Sequence, residues 1–144
     1  VLKVVLVALD RSDLSQAEVT MLRSLQLGPH SKVVLAHAIP VDAPDAETSL
    51  DRPHGSSQEQ YRAIEQQLQI YQGELPCPSH IEIVCGDPAD EIVRLANIHR
   101  ADLIVIGSRG LSGMDRILQG SVSSEVIERA ACSVLVVKAK GGGS

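Results

Sequence analysis

The residues whose types and spacing could do chemistry sit mainly in one stretch. Gly107-Ser108-Arg109-Gly110-Leu111-Ser112-Gly113 is followed by Gly120-Ser121, with nine residues between Gly110 and Gly120. Glycines at such a point let backbone N–H groups approach an anion with no Cβ in the way. Gly120-Ser121 stands directly before a helical pattern, and a helix start carries free N–H donors and about half a positive charge. Phosphates bind there readily. Ser121 could cap that helix or give its hydroxyl to a phosphate oxygen, while Arg109 and Arg116 add positive charge. A plain crossover loop with an ordinary serine cap would have the same spacing, so spacing alone leaves both readings open. Other phosphate signatures fail. No GxxxxGK[ST] is present, and no GxGxxG follows the first apolar run. Ser112-Gly113-Met114-Asp115 faintly matches the Ser-Gly-Gly-x-Asp-Ser loop of pyrophosphatase-type enzymes but lacks the second Gly and the final Ser.

Groups that could act on a bound substrate are harder to find. His37 lies inside a strand pattern near the expected pocket, as a structural or pocket-lining residue; no nucleophile pairs with it as a base. His30, His54, His80 and His99 lack metal-ligand spacing, so no metal is assigned to them. Cys77, Cys85 and Cys132 are odd in number and form no CxxC, which fits small reduced thiols in the cytoplasm rather than a disulfide framework.

The elements that must position these residues alternate. Five β-branched runs cover Lys3 to Asp10, Lys32 to Pro40, His80 to Cys85, Asp102 to Gly107 and Ser133 to Lys138. The first, fourth and fifth are nearly continuous Val, Ile and Leu, as in strands buried on both faces of a parallel sheet. Between them run four helical stripes: Leu14, Ala17, Met21, Leu22 and Leu25, stopped at Gly28-Pro29; Tyr61, Ile64, Leu68 and Tyr71; Ile92, Val93 and Ala96, behind an Asp87 N-cap and Pro88; and Val122, Val126, Ile127 and Ala130. Val41 to Ser57 reads as a long mobile connection, either a surface loop or a lid. The alternation predicts an α/β fold: one doubly wound five-stranded parallel sheet of order 3-2-1-4-5, with helices on both faces. Ligands of such sheets bind beyond the carboxyl ends of the strands where the order reverses, here between the first and fourth. Asp10 closes the first and Gly107 the fourth. The fifth, Val134 to Val137, would be an apolar edge inviting a two-fold pairing with a second copy.

Composition narrows the partners. The chain has 144 residues, enough for one domain, with two Tyr, no Phe and no Trp. It therefore lacks the aromatic platforms on which single-stranded nucleic acids stack, and a net charge of -5 opposes a phosphate-backbone footprint. No apolar run approaches the roughly 20 residues that cross a bilayer. Neither nucleic acid nor membrane is an expected partner, and the expected location is cytoplasmic. Residues 1–140 read as one domain and residues 141–144, Gly-Gly-Gly-Ser, as a linker tail.

Gly107-x2-Gly110-x9-Gly120-Ser121 resembles the complete G-x2-G-x9-G-[ST] pattern of the ATP-binding subclass of universal stress proteins. Asp102 to Gly110 looks like that family's fourth strand and loop, and Cys132 to Val137 like its last strand. Val7-Ala8-Leu9-Asp10 and Leu35-Ala36-His37-Ala38 take the places of its first two strand ends, and Gly86-Asp87-Pro88 that of its third helix start. The resemblance, covering residues 3 to 138, implies that Gly107, Gly110, Gly120 and Ser121 hold phosphates. It implies that Val122 adds a backbone N–H, that Asp10 lies on the nucleoside or metal side, that the backbone around Ala38 meets the adenine edge, and that Ala8 lines the pocket. The implied protein is a homodimeric stress-response switch binding ATP or another adenine nucleotide, with Mg²⁺ carried by the phosphates. Three alternatives stay open: a slow ATP hydrolase or phosphoryl-transfer enzyme, a nucleotide-independent dimeric scaffold, and a binder of AMP or a cyclic adenine nucleotide.

Overall fold

Alternate residues of a strand face opposite sides of a sheet, and that parity sorts the core of this protein into two layers. The structure, a computed structural model, describes residues 3–9, 14–39, 54–107 and 116–137. Its strands are β1 (Val4–Ala8), β2 (Lys32–Ile39), β3 (Ser79–Cys85), β4 (Leu103–Gly107) and β5 (Ser133–Val137). Its helices are α1 (Leu14–Ser24), α2 (His54–Gln72), α3 (Pro88–His99) and α4 (Arg116–Arg129). All strand pairs are parallel, in the order β3-β2-β1-β4-β5, as expected.

Val5, Val7 and Leu9 of the first strand segment, Val33 and Leu35 of β2, and Leu103 and Val105 of β4 pack with Val19 and Leu22 of α1 and Ile64, Leu68 and Tyr71 of α2. The intervening residues Leu6, Ala8, Val34, Ala36, Ile104 and Ile106 pack with Ala89, Ile92, Val93, Leu95 and Ala96 of α3 and Val126 of α4. Full burial of one such Leu or Val contributes about 1.5–3 kcal/mol. The sheet is thus covered on both faces, which is why β1 and β4 read as unbroken apolar runs.

Local signals place the ends. Asp87 caps α3: its Oδ2 accepts from the Asp90 N–H at 3.0 Å, Pro88 follows in the first turn, and Asp90 and Glu91 sit at the positive end. Gly86 makes the turn into that helix at φ +149, where a Cβ would lie 3.0 Å from Glu91 Cγ, so only glycine fits without strain. The helix closes with Arg100 in the left-handed region and the Ala101 N–H on the Ala96 carbonyl at 2.9 Å. At the amino end of the sheet Asp102 Oδ2 accepts from the N–H groups of Lys3 and Val4, both at 2.9 Å. The Val4 and Lys3 amides hold its carboxyl below the usual carboxylate range.

Several expectations need correcting. α1 ends at Ser24, ahead of Gly28-Pro29, because Gln26 already turns left-handed at φ 54. Tyr61 is 45% exposed and Ile127 53% exposed, so neither belongs to its helix's buried stripe; at 100° per residue Tyr61 falls on the stripe's margin and Ile127, directly after Val126, falls outside it. Glu18, absent from the expected core, is buried beside Val19. The connection after β2 is shorter than Val41 to Ser57, since α2 begins at His54 behind Pro53; residues 40–53 lie outside the described ones. The tail at 141–144 also lies outside them.

Candidate functional site

β1 is hydrogen-bonded to β2 on one side and β4 on the other, and the chain leaves their carboxyl ends in opposite directions along the sheet. Ligands of open parallel sheets bind beyond strand ends arranged in this way. Ala8 lies opposite Ala36 of β2 and Ile106 of β4, and Gly107 opposite Val137 of β5. Ala8 and Ala36 are buried and on the same face, so the floor at this point is made of methyl groups. Gly107 is buried and ends β4.

The main chain supplies the polar groups. Register between β1 and β2 stops at Ala8 opposite Ala36, whereas β2 and β3 stay paired to Ile39 opposite Cys85. The Lys32 N–H donates to Lys3 and the Ala36 carbonyl accepts from Leu9, so even-numbered residues of β2 turn their amides toward β1. The Val33 N–H donates to Pro78 and the Ile39 carbonyl accepts from Gly86, so odd-numbered residues turn toward β3. By this parity the N–H and carbonyl of Ala38 both face the β1 side, beyond the last β1–β2 pair. His37 stands beside them, buried, with Nδ1 2.8 Å from the Leu9 carbonyl.

Ala8, Ala38 and Gly107 are therefore brought to one end of the sheet. Asp10, Arg109 and Gly110 lie outside the described residues. Gly120, Ser121 and Val122 differ from expectation. α4 begins at Arg116, about one turn earlier, so the three lie inside it and not at its start. Arg116, Leu118 and Gln119 are good helix formers and carry the helix back through Gly120, despite a glycine cost of about 1 kcal/mol. The donors left over by the helix then belong to its first turn, ahead of Gly120.

Sequence reasoning missed one side-chain cluster. His99 at the end of α3 and His80 on β3 approach the same oxygen, Glu82 Oε2, at 2.8 and 3.4 Å, with ring centroids 5.8 Å apart. The β3–α3 crossover folds positions far apart in sequence together, so spacing gave no signal. No group of three or more His, Cys, Asp or Glu among the described residues is arranged to hold a metal ion. Burial pushes the Cys77 and Cys132 thiols up, keeping them protonated, while Cys85 is exposed. No helix among the described residues is long and apolar enough to cross a membrane.

Comparison with known proteins places this arrangement. Universal stress protein Sll1388 of Synechocystis is 31% identical over 93% of this chain and 96% of its own length. Three other curated relatives are matched over only 35% or 36% of their length. The solved structure of MJ0577 superposes with a TM-score of 0.83 at 25% identity, covering 97% of this chain and 98% of that one. A universal stress protein solved in complex with cAMP superposes with a TM-score of 0.68 at 25% identity, covering 94% and 97%. The sequence profile of the Universal stress protein family matches residues 2–138, and with the shared sheet order and the full-length likeness to Sll1388 this chain belongs to that family.

Proposed function

We propose that this chain binds an adenine nucleotide, ATP by preference, beyond the carboxyl ends of β1, β2 and β4, and serves as a nucleotide-dependent regulatory switch in a stress response. The observation that carries the reading is the pair of main-chain groups on Ala38. One extended residue offers a donor and an acceptor in the same direction, and adenine presents an acceptor at N1 beside a donor at N6. Ala8 and Ala36 put only methyl groups at this end of the sheet, which suits a flat base lying beyond them. The cAMP-bound relative supports an adenine ligand in this fold.

In this reading Gly107, Gly110, Gly120 and Ser121 surround the phosphates, Arg109 adds charge, and Asp10 faces the ribose or a Mg²⁺ that arrives with the phosphates. A backbone contribution from Gly120 to Val122 requires the first turn of α4 to open, and a glycine inside the helix lowers that cost. The protein works in the cytoplasm as a homodimer paired through β5, whose Val134, Leu135 and Val136 stay half-buried at the sheet edge.

Calorimetric titration of nucleotide-stripped protein with ATP, AMP and cAMP, with and without Mg²⁺, tests the reading. One ATP per chain is expected, with ATP tightest. Absence of binding up to millimolar concentration of all three would refute it.

A further inference from the structure

His37 is a polar residue in an apolar row. Val33, Leu35 and Ile39 share its face of β2 and belong to the α1–α2 side of the core. A buried imidazole there must find hydrogen-bond partners. Nδ1 lies 2.8 Å from the Leu9 carbonyl, and a carbonyl only accepts, so the proton is on Nδ1 and the ring donates. The Leu9 N–H in turn donates to the Ala36 carbonyl at 2.8 Å. Leu9 is thus tied to β2 twice, once through main chain and once through the imidazole.

The second tie replaces a rung. In a parallel ladder continued one step, the Leu9 carbonyl would accept from the Ala38 N–H, because Ala38 has the same parity as Ala36. The imidazole takes that carbonyl instead, and the register stops at Ala8 opposite Ala36. We infer that His37 is a positioning residue for the ligand's base: its Nδ1–H holds the Leu9 carbonyl off the Ala38 N–H, ends the β1–β2 ladder one rung early and keeps the Ala38 main-chain pair presented to a purine edge. The part concerning the base rests on the proposed nucleotide site; the part concerning the ladder stands without any ligand. The held peptide is also the one leading into Asp10, so the imidazole sets the direction in which the chain leaves β1.

The test compares the wild type with His37→Leu, which has no donor, and His37→Asn, whose side-chain amide N–H can stand where Nδ1–H stands. In ligand-free protein, the Ala38 amide is expected to exchange at least tenfold more slowly in His37→Leu, because the Leu9 carbonyl closes onto it. ATP affinity of that variant is expected to fall about fivefold to tenfold, one net hydrogen bond. His37→Asn is expected to restore both, which a merely volume-filling role would not do. Nitrogen-15 spectra of the wild-type imidazole, which need no variant to fold, are expected to show the Nδ1–H tautomer, and the other tautomer would overturn the inference. Unchanged Ala38 exchange in a folded His37→Leu would overturn the ladder part, and slowed exchange with undiminished ATP affinity the base part. A wild type that binds no adenine nucleotide would overturn the proposed function and the base part, while the exchange comparison still decides the ladder.

Discussion

Ala38→Pro isolates the main-chain donor on which the proposed site depends. Proline removes the N–H and puts a ring carbon in its place, and its fixed φ is tolerated in a strand where that N–H has no ladder partner. Ala38 meets this condition: its amide faces past the end of β1, and the Leu9 carbonyl is engaged by His37. His37 precedes the new proline in extended backbone, as proline requires of its neighbour. The fold should therefore survive. Binding should not, because the base loses a hydrogen bond worth about 1 kcal/mol, and its N1 is left desolvated against carbon at a further cost of about 1–3 kcal/mol. At 1.4 kcal/mol per factor of ten, the expected loss in ATP affinity is roughly 30-fold to several hundred-fold. Calorimetry gives the affinity, and far-ultraviolet circular dichroism with a thermal melt checks the fold. ATP affinity within twofold of wild type in a folded Ala38→Pro protein would refute the assignment of Ala38 to the base edge.

Three further outcomes are expected. Leu22→Ala, at a fully buried position in the α1–α2 layer, should cost about 2–5 kcal/mol in urea unfolding; a loss below about 1 kcal/mol would contradict that burial. Asp102 has a folded pKa below its unfolded value near 4, so the stability it contributes is full above that value and is lost as pH falls through the folded one. Urea midpoints of wild type and Asp102→Asn should differ constantly from pH 7 to about 5 and converge in more acid solution; a gap that widens on acidification would reverse the sign. Asp87→Ala removes the α3 cap and should cost about 0.5–2 kcal/mol, with the amide of Asp90 losing hydrogen-exchange protection before the rest of the helix.

The inner strands β1 and β4 were legible because burial on both faces leaves a continuous β-branched signature, and β5 carries the same signature although it is only half-buried at the sheet edge. The α3 start was legible because Gly86, Asp87 and Pro88 each have one conformational use there. Helix margins were not. Ile127 is apolar, but standing directly after the buried Val126 it is turned 100° away, whereas the exposure of Tyr61 at the margin of its stripe depends on where the neighbouring layer ends. Glu18 was assigned to no buried face because its charge outweighs its position beside Val19 in any hydropathy reading. The α4 start was misplaced for a related reason: Gly120-Ser121 is a good cap signal, but the helix formers ahead of it outweigh one glycine.

The proposed site is unevenly visible in the sequence for a deeper reason. The glycines, serine and aspartate of a phosphate motif announce themselves by residue type, so a motif can find them. The proposed base edge is built from the N–H and carbonyl of Ala38, and any residue but proline has both. What distinguishes Ala38 is that β2 outlasts β1, that even-numbered amides face β1, and that a neighbouring imidazole removes the carbonyl that would close the next rung. Each of these is a property of pairing, visible only once register is known. His37 is where that hidden geometry reaches the sequence: a histidine in the apolar row of Val33, Leu35 and Ile39 becomes intelligible, on the proposed reading, as the group that ends a ladder and leaves a donor for a ligand.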